Sequence, residues 1–235
     1  TSDVVLTITS DDTGEATVPA SVTFTAANWD TPQTVTVTGV DDSIIDGTIT
    51  STITIAVDDA NSDDDFDAVT DQTLSVDTTD DDVAGFTIEE TEGATEVDES
   101  GSTDTFTIVL DAQPTNDVVV LATASNDETE AIVSGSITFT SENWDTPQTV
   151  TVTGVDDDLV DGDQTYDITI SIVDTISDDD FDGVADQSVS STTLDDDAPG
   201  FTIEETDAAT EVDESGTTDT FTVVLDAQPT SDVVL

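Results

Sequence analysis

Valine and threonine alternate along "QTVTVTGV" at residues 148–155, and the same two-residue period recurs through most of the chain. A period of two is the side-chain repeat of a strand that buries one face and wets the other. Between residues 85 and 195 it picks out "GFTIEET", "TDTFTIVLD", "DVVVLATAS", "GSITFTS", "QTVTVTGV", "QTYDITISIVD" and "QSVSSTTLD", with turn residues between them. Seven short strands without any 3.6-residue period predict an all-β fold, an Ig-like antiparallel Greek-key β-sandwich. Its core is expected from Phe106, Val109, Val119, Ile137, Phe139, Val150, Val152, Ile168, Ile170 and Ile172. Trp144, like Trp29 before it, is expected to cap that core beside the turn containing Pro147; stacking on a ligand is the other use of such a ring.

The pattern repeats. "NWDTPQTVTVTGVDD" stands at Asn28–Asp42 and again at Asn143–Asp157, a displacement of 115 residues. "SDDDFD", "GFTIEET", "TEVDESG" and "LDAQPT" recur at the same displacement, so one unit is about 115 residues, the size of one sandwich domain. The runs Asp80–Asp82 and Asp195–Asp197, each followed by a short linker, "VAG" or "APG", mark the expected boundaries. Residues 1–82 then form the C-terminal part of a first repeat, 83–197 a complete one, and 198–235 the N-terminal strands of a third. The chain both opens and closes with "TSDVVL", and it starts without Met or a basic leader. Two expectations follow: a window on a longer tandem array, or a subunit whose residues 198–235 complete residues 1–82 of the next subunit by strand addition. In either case the partners are neighbouring copies of the repeat, head to tail.

Charge adds what patterning cannot. The chain holds 57 Asp and Glu, no Lys, Arg or His, and a formal charge of -57. No side-chain ion pair can form. Two carboxylates about 4 Å apart repel by roughly 4 kcal/mol at an effective dielectric near 20, so clusters gathered by folding call for bound cations, protons or a dense salt atmosphere. Acidic chains are often disordered, but 34% hydrophobic residues in alternating runs argue for a fold. Cys is absent, which removes disulfides as cross-links. No apolar run approaches the ~20 residues of a spanning helix.

The order of motifs in the complete unit resembles the Calx-β domain family of sodium/calcium exchangers and giant bacterial surface proteins. The resemblance rests on "VDESG" at Val97–Gly101, on "ITFTSENWDTPQTVTV" running into "GVDDDLVDGDQTYDITI", and on the terminal "DDD". It implies a β-sandwich that binds Ca²⁺ at one pole through the early Glu, an Asp pair, an acid four residues beyond, and the closing triplet. Carried over, these are Glu99, Asp156, Asp157, Asp161, Asp195, Asp196 and Asp197. For the first repeat they are Asp41, Asp42, Asp46, Asp80, Asp81 and Asp82, and Glu214 is the early Glu of the third. Asp46 and Asp161 stand where the family has the longer Glu.

Donor chemistry points the same way. With neither Cys nor His, only hard oxygen ligands exist, which suit Ca²⁺ and not zinc or copper. "SDDDFDG" at Ser177–Gly183 offers a second loop, with Asp178, Asp180 and Asp182 in a D-x-D-x-D-G spacing, although Val189 holds the twelfth position and the earlier copy replaces Gly183 by Ala68. Asp12 or Asp127, in loops that vary more between the copies, could reach the same cluster, but a plain loop is the expected reading. Each Asp run taken alone is also a plain solvated turn.

Function classes narrow accordingly. No His, Cys or Lys is present to build a nucleophile or its base, and no phosphate loop appears, so no enzyme is expected. Nucleic acid would be repelled. The leading expectation is a structural repeat of an extracellular, cell-surface fibre, adhesin stalk or matrix filament with Ca²⁺ stiffening the joints between domains. The alternative is a calcium-dependent carbohydrate- or protein-binding adhesion module, and an exchanger-type calcium sensor comes third.

Overall fold

A computed structural model describes residues 3–91, 93–125 and 129–234. The chain divides into two compact units, Thr1–Val83 and Ala84–Leu235. The first unit contains β1 (Val4–Ser10), β2 (Ala16–Thr17), β3 (Ser21–Phe24), β4 (Thr38–Gly39), β5 (Ile49–Val57) and β6 (Gln72–Thr78). β1, β3, β5 and β6 form one antiparallel sheet in the order β3-β1-β5-β6, and β2 pairs with β4 alone.

The second unit continues with β7 (Phe86–Glu90), β8 (Thr95–Asp98), β9 (Thr103–Leu110), β10 (Val118–Ala124), β11 (Ala131–Val133) and β12 (Ser136–Phe139). It ends with β13 (Gln148–Gly154), β14 (Gln164–Ile172), β15 (Gln187–Leu194), β16 (Phe201–Glu205) and β17 (Phe221–Leu225). Two sheets, β12-β10-β14-β15-β8 and β11-β13-β9-β7, form an all-β sandwich, while among the described residues β16 and β17 pair only with each other. The core carries Phe106, Ile108, Phe139, Val150, Val152, Ile168, Ile170 and Phe181, all shut off from water.

Three expectations need correction. The complete domain has β8, of four residues, and β11, of three, besides the seven anticipated strands. β8 also runs parallel to β15, with Thr95 opposite Ser191 and Asp98 opposite Leu194, so the sandwich is not wholly antiparallel. Val109 and Val119 are half-buried and do not join the core, because strand parity puts Phe106, Ile108 and Leu110 inward on β9 and Val118 and Val120 inward on β10. Ile137 and Ile172 are likewise half-buried.

One comparison inside the molecule separates sequence from context. "QTVTVTG" forms the seven-residue β13 at 148–154, held by β9 on one edge and by β11 on the other. The identical residues at 33–39 contribute only Thr38–Gly39 to a strand. Trp144 is half-buried, and its carbonyl accepts from the Leu110 N–H at 3.1 Å. Trp29, expected as a cap, is 71% exposed.

Candidate metal centres

At one pole of the complete domain, four loops bring carboxylates together. Glu99 follows β8, Glu130 precedes β11, Asp157 and Asp161 follow β13, and Asp195–Asp197 follow β15. The backbone is shaped for this by aspartate-capped turns: Leu159 N–H donates to Asp157 Oδ1 at 2.6 Å and Asp197 N–H to Asp195 Oδ1 at 2.8 Å. Asp195 Oδ2 accepts from Gly162 N–H at 2.7 Å, which ties the 157–162 loop to the end of β15. Gly162 reaches that position with φ of 78°, a left-handed conformation suited to glycine.

Glu99, Asp157 and Asp197 each place one carboxylate oxygen within 4.8 Å of the others'. Glu99 is only 1% exposed. Three oxygens here, Glu99 Oε2, Glu130 Oε2 and Asp197 Oδ2, are buried without a hydrogen-bond partner. Burial, then the charges of Asp157 and Asp195, pushes the Glu99 carboxyl up to about 7, against a backbone N–H of Asp196 that lowers it. Glu130 is raised by burial and by Asp161 and Asp157, and Asp197 by burial and then Asp158 and Asp195. The site is strained electrostatically, and nothing within the chain can relieve it, because the chain has no cationic side chain.

The first unit carries a second, more open version. Glu15, Asp42 and Asp46 place carboxylate oxygens within 4.8 Å of one another, around a recess of about 30 Å³ that Asp41 and Asp80–Asp82 also line. Asp80 Oδ2 accepts from the Gly47 and Asp46 N–H groups at 2.8 and 3.0 Å, and its other oxygen from Asp82 N–H at 2.8 Å. Those donors hold Asp80 below the usual carboxylate range, whereas Glu15, Asp46 and Asp82 are raised, chiefly by desolvation and then by neighbouring carboxylates.

The anticipated residues thus fare differently. Asp42, Asp46, Asp157, Glu99 and Asp197 enter the two clusters, and the short side chain of Asp46 does reach its neighbours. Asp161 lies close enough to raise both Glu99 and Glu130. Asp41, Asp81, Asp156 and Asp196 stand exposed at the rims, and Glu214 is exposed beside the β16–β17 pair. Among the described residues, Asp178, Asp180 and Asp182 do not bring three carboxylate oxygens within 4.8 Å of one another, although Asp182 is raised by desolvation and then by Asp174, Asp179 and Asp178. Asp178 is buried and caps the 3-10 turn Asp179–Phe181; Asp178 Oδ2 accepts from Asn116 N–H at 2.6 Å and the Thr115 hydroxyl at 2.8 Å, and Oδ1 from Asp180 N–H at 3.2 Å. Asp180 and Asp182 face water. Asp12 is occupied with Gly14 N–H at 2.9 Å, and Asp127 lies outside the described residues.

Glu15 and Glu130 were not anticipated. The sequence offers little to find them by: they stand 115 residues apart, each before an alanine, and only the structure shows that Ala16 and Ala131 are fully buried. A carboxylate anchored next to a buried residue is directed by the fold in a way that the preceding loop acids are not. Together the donors are all carboxylate oxygens, with partners missing on the buried ones, which is the set a hard divalent cation fits.

No protein-family model and no curated protein sequence matches the chain. Among solved structures it is similar to a Calx CBD1 domain in its apo form, at 16% identity and a TM-score of 0.33, over 48% of this chain and 98% of that one. It is similar to surface layer protein SbsC, domains 1–6, at 16% identity and a TM-score of 0.36, over 92% of this chain but 24% of that one. A third is the calcium binding domain CBD12 of CALX1.1, at 13% identity and a TM-score of 0.32, over 72% and 68%. These amount to a distant likeness in β-fold. Among the described residues, no helix is long and apolar enough to cross a membrane.

Proposed function

We propose that the chain is a structural repeat of an extracellular fibre, adhesin stalk or matrix filament, in which Ca²⁺ closes the acidic pole of each sandwich and stiffens the joint beyond it. One observation carries this reading: three buried carboxylate oxygens lack partners in a chain that has no cationic side chain to offer. Glu99, Glu130, Asp157, Asp161, Asp195 and Asp197 would hold the ion in the complete domain, and Glu15, Asp42, Asp46 and Asp80 in the first unit. Bound calcium supplies positive charge and six to eight forgiving oxygen contacts. The chain's own part is to bring four loops to one place and keep water from most of Glu99.

The pole is also the start of the next repeat. Gln228 N–H donates to the Asp158 carbonyl at 2.6 Å, and Leu159 and Gln228 form a parallel bridge, so the loop bearing Asp157 also touches the strands that follow Asp197. An ion on Asp157 and Asp197 would restrain that loop and the "APG" linker together. Catalysis is not part of this reading, since no side chain offers a nucleophile with a base beside it.

Extracellular modules of this kind bind at about 10⁻⁴ to 10⁻³ M, and an ion that binds only the folded state raises stability with its concentration. Calcium titration of the full chain should therefore raise the melting temperature and narrow the dimensions seen by small-angle scattering, reversibly on chelation. Unchanged melting and dimensions between millimolar calcium and excess EGTA would sink the proposal.

A further inference from the structure

Three consecutive residues at the end of β15, Thr193, Leu194 and Asp195, each tie down a different loop of the acidic pole. The Leu194 carbonyl accepts from Glu99 N–H at 3.1 Å, and Asp195 Oδ2 accepts from Gly162 N–H at 2.7 Å. Thr193 reaches the third loop: its hydroxyl donates to the Glu130 carbonyl at 3.2 Å. That bond crosses the sandwich, because β15 lies in the sheet β12-β10-β14-β15-β8 whereas Glu130 leads into β11 of the other sheet.

Thr193 is wholly buried, and polar side chains so placed are few in this domain. Behind it stands Tyr166 of β14, whose hydroxyl accepts from Thr193 Oγ1 at 3.3 Å and from Ser191 Oγ at 3.1 Å. A threonine hydroxyl has one proton to give, and here it lies between the Glu130 carbonyl and the Tyr166 hydroxyl. A β-branched side chain is stiff at χ1, so burial among these partners holds the Thr193 hydroxyl in place.

Glu130 depends on such a hold. Its Oε2 is buried without a hydrogen-bond partner among the described residues, so that oxygen is aimed by the backbone and not by a bond of its own. Val155 N–H donates to the Glu130 carbonyl at 2.9 Å and Ala131 stands opposite Gly154, which fixes Glu130 to its own sheet. Among the described residues, the Thr193 hydroxyl is what fixes that carbonyl to β15, the strand from which Asp195 and Asp197 follow.

The first unit repeats the arrangement. Thr78 donates to the Glu15 carbonyl at 3.2 Å, and Val40 N–H donates to the same carbonyl at 2.8 Å. One repeat apart, Tyr166 and Ser191 are replaced by Ser51 and Val76, yet the threonine bond is kept. The bond therefore goes with the acidic pole and not with the buried hydroxyl cluster behind it.

We propose that Thr193 is a positioning residue for the cation: without touching the ion, it fixes the Glu130 carboxylate relative to the carboxylates that follow β15, and Thr78 does the same for Glu15. This rests on the calcium reading of the pole.

The test uses the full chain with Trp29→Phe, so that Trp144 emission follows melting of the complete domain, first in EGTA and then across a calcium titration. Thr193→Val removes the hydroxyl and keeps the branched shape, and the Glu130 carbonyl retains Val155 N–H, so the domain is expected to fold. Thr193→Ser keeps the hydroxyl and removes a buried methyl. In EGTA the Ser chain should be the less stable of the two. For calcium the order should reverse, with the Ser chain within about twofold of the parent and the Val chain weaker by about tenfold, the low end of what a hydrogen-bond partner behind a metal ligand is worth. A residue that only packs the core gives the same order in both measurements. In a Glu130→Gln background the Val substitution should cost little further affinity, because it acts through that carboxylate. Equal calcium affinity in the parent and the Val chain, or a loss that persists undiminished in the Glu130→Gln background, overturns the positioning role and leaves calcium at the pole. A parent whose melting is the same in EGTA and in millimolar calcium removes the ion, and the positioning role falls with it.

Discussion

Glu99 allows the pole to be tested without any knowledge of the ion. In the metal-free chain its carboxyl is displaced from an ordinary 4.5 to about 7. A carboxyl raised by folding keeps its proton in the native state after the unfolded chain has lost it. Its contribution to stability is thus fully present below pH 4.5 and is lost as pH rises through about 7. Each pH unit of that window is worth up to about 1.4 kcal/mol, and the whole about 3 kcal/mol. Asp161 and Asp196 at the rim are open to water, and screening there reduces the figure to about 1–2 kcal/mol. For a domain of this size that is a melting shift of about 4–8 °C. The perturbation is Glu99→Gln, a permanently neutral stand-in for the protonated acid, and the readout is Trp144 emission in a Trp29→Phe chain, which follows the complete domain alone. In EGTA the variant and the parent should melt together at pH 4 and separate as pH rises, the variant being the more stable at pH 8. Saturating calcium should invert that order, since the parent alone can release a proton to solvent and present a carboxylate to the ion. If parent and variant keep the same pH slope in EGTA, Glu99 does not carry the strain assigned to it. If calcium stabilises both equally, Glu99 is not a ligand.

Other substitutions probe the scaffold. Phe106→Ala, at a position with no exposure, should cost about 3–5 kcal/mol in urea unfolding, while Val109→Ala on the outer face of the same strand should cost far less. Asp178→Ala leaves the Asn116 N–H and Thr115 hydroxyl without an acceptor and should cost about 1–3 kcal/mol while calcium titrations stay unchanged; a loss of calcium affinity would return this loop to the list of ion sites. Gly154→Ala drives a methyl against the Asp98 carbonyl and should destabilise the domain by about 1–3 kcal/mol, measured as a lowered urea midpoint at constant slope.

What could be read from the sequence, and what could not, follows the range over which each cause acts. Alternation acts between neighbours, so strands such as β9 and β13 were visible as strings, and the 115-residue displacement showed which acidic runs are copies of one another. The phase of a strand acts across the sheet. Three successive valines at 118–120 contain no phase of their own, and the pairing of Val118 with Phe139 decides that Val119 points away. Asp178 looked like an ion ligand because its spacing is local, but its partners, Asn116 and Thr115, lie more than sixty residues earlier and are supplied by the fold. Glu130 was passed over for the converse reason: nothing beside it in sequence is distinctive, and its value comes from facing Asp157 and Asp161. The two copies of "QTVTVTG" put the point most sharply, since seven identical residues make a full strand in one place and a two-residue remnant in the other. Their difference cannot lie in propensity. It lies in whether β9 stands beside them, so what the seven residues become is decided by a neighbour that their own sequence does not name.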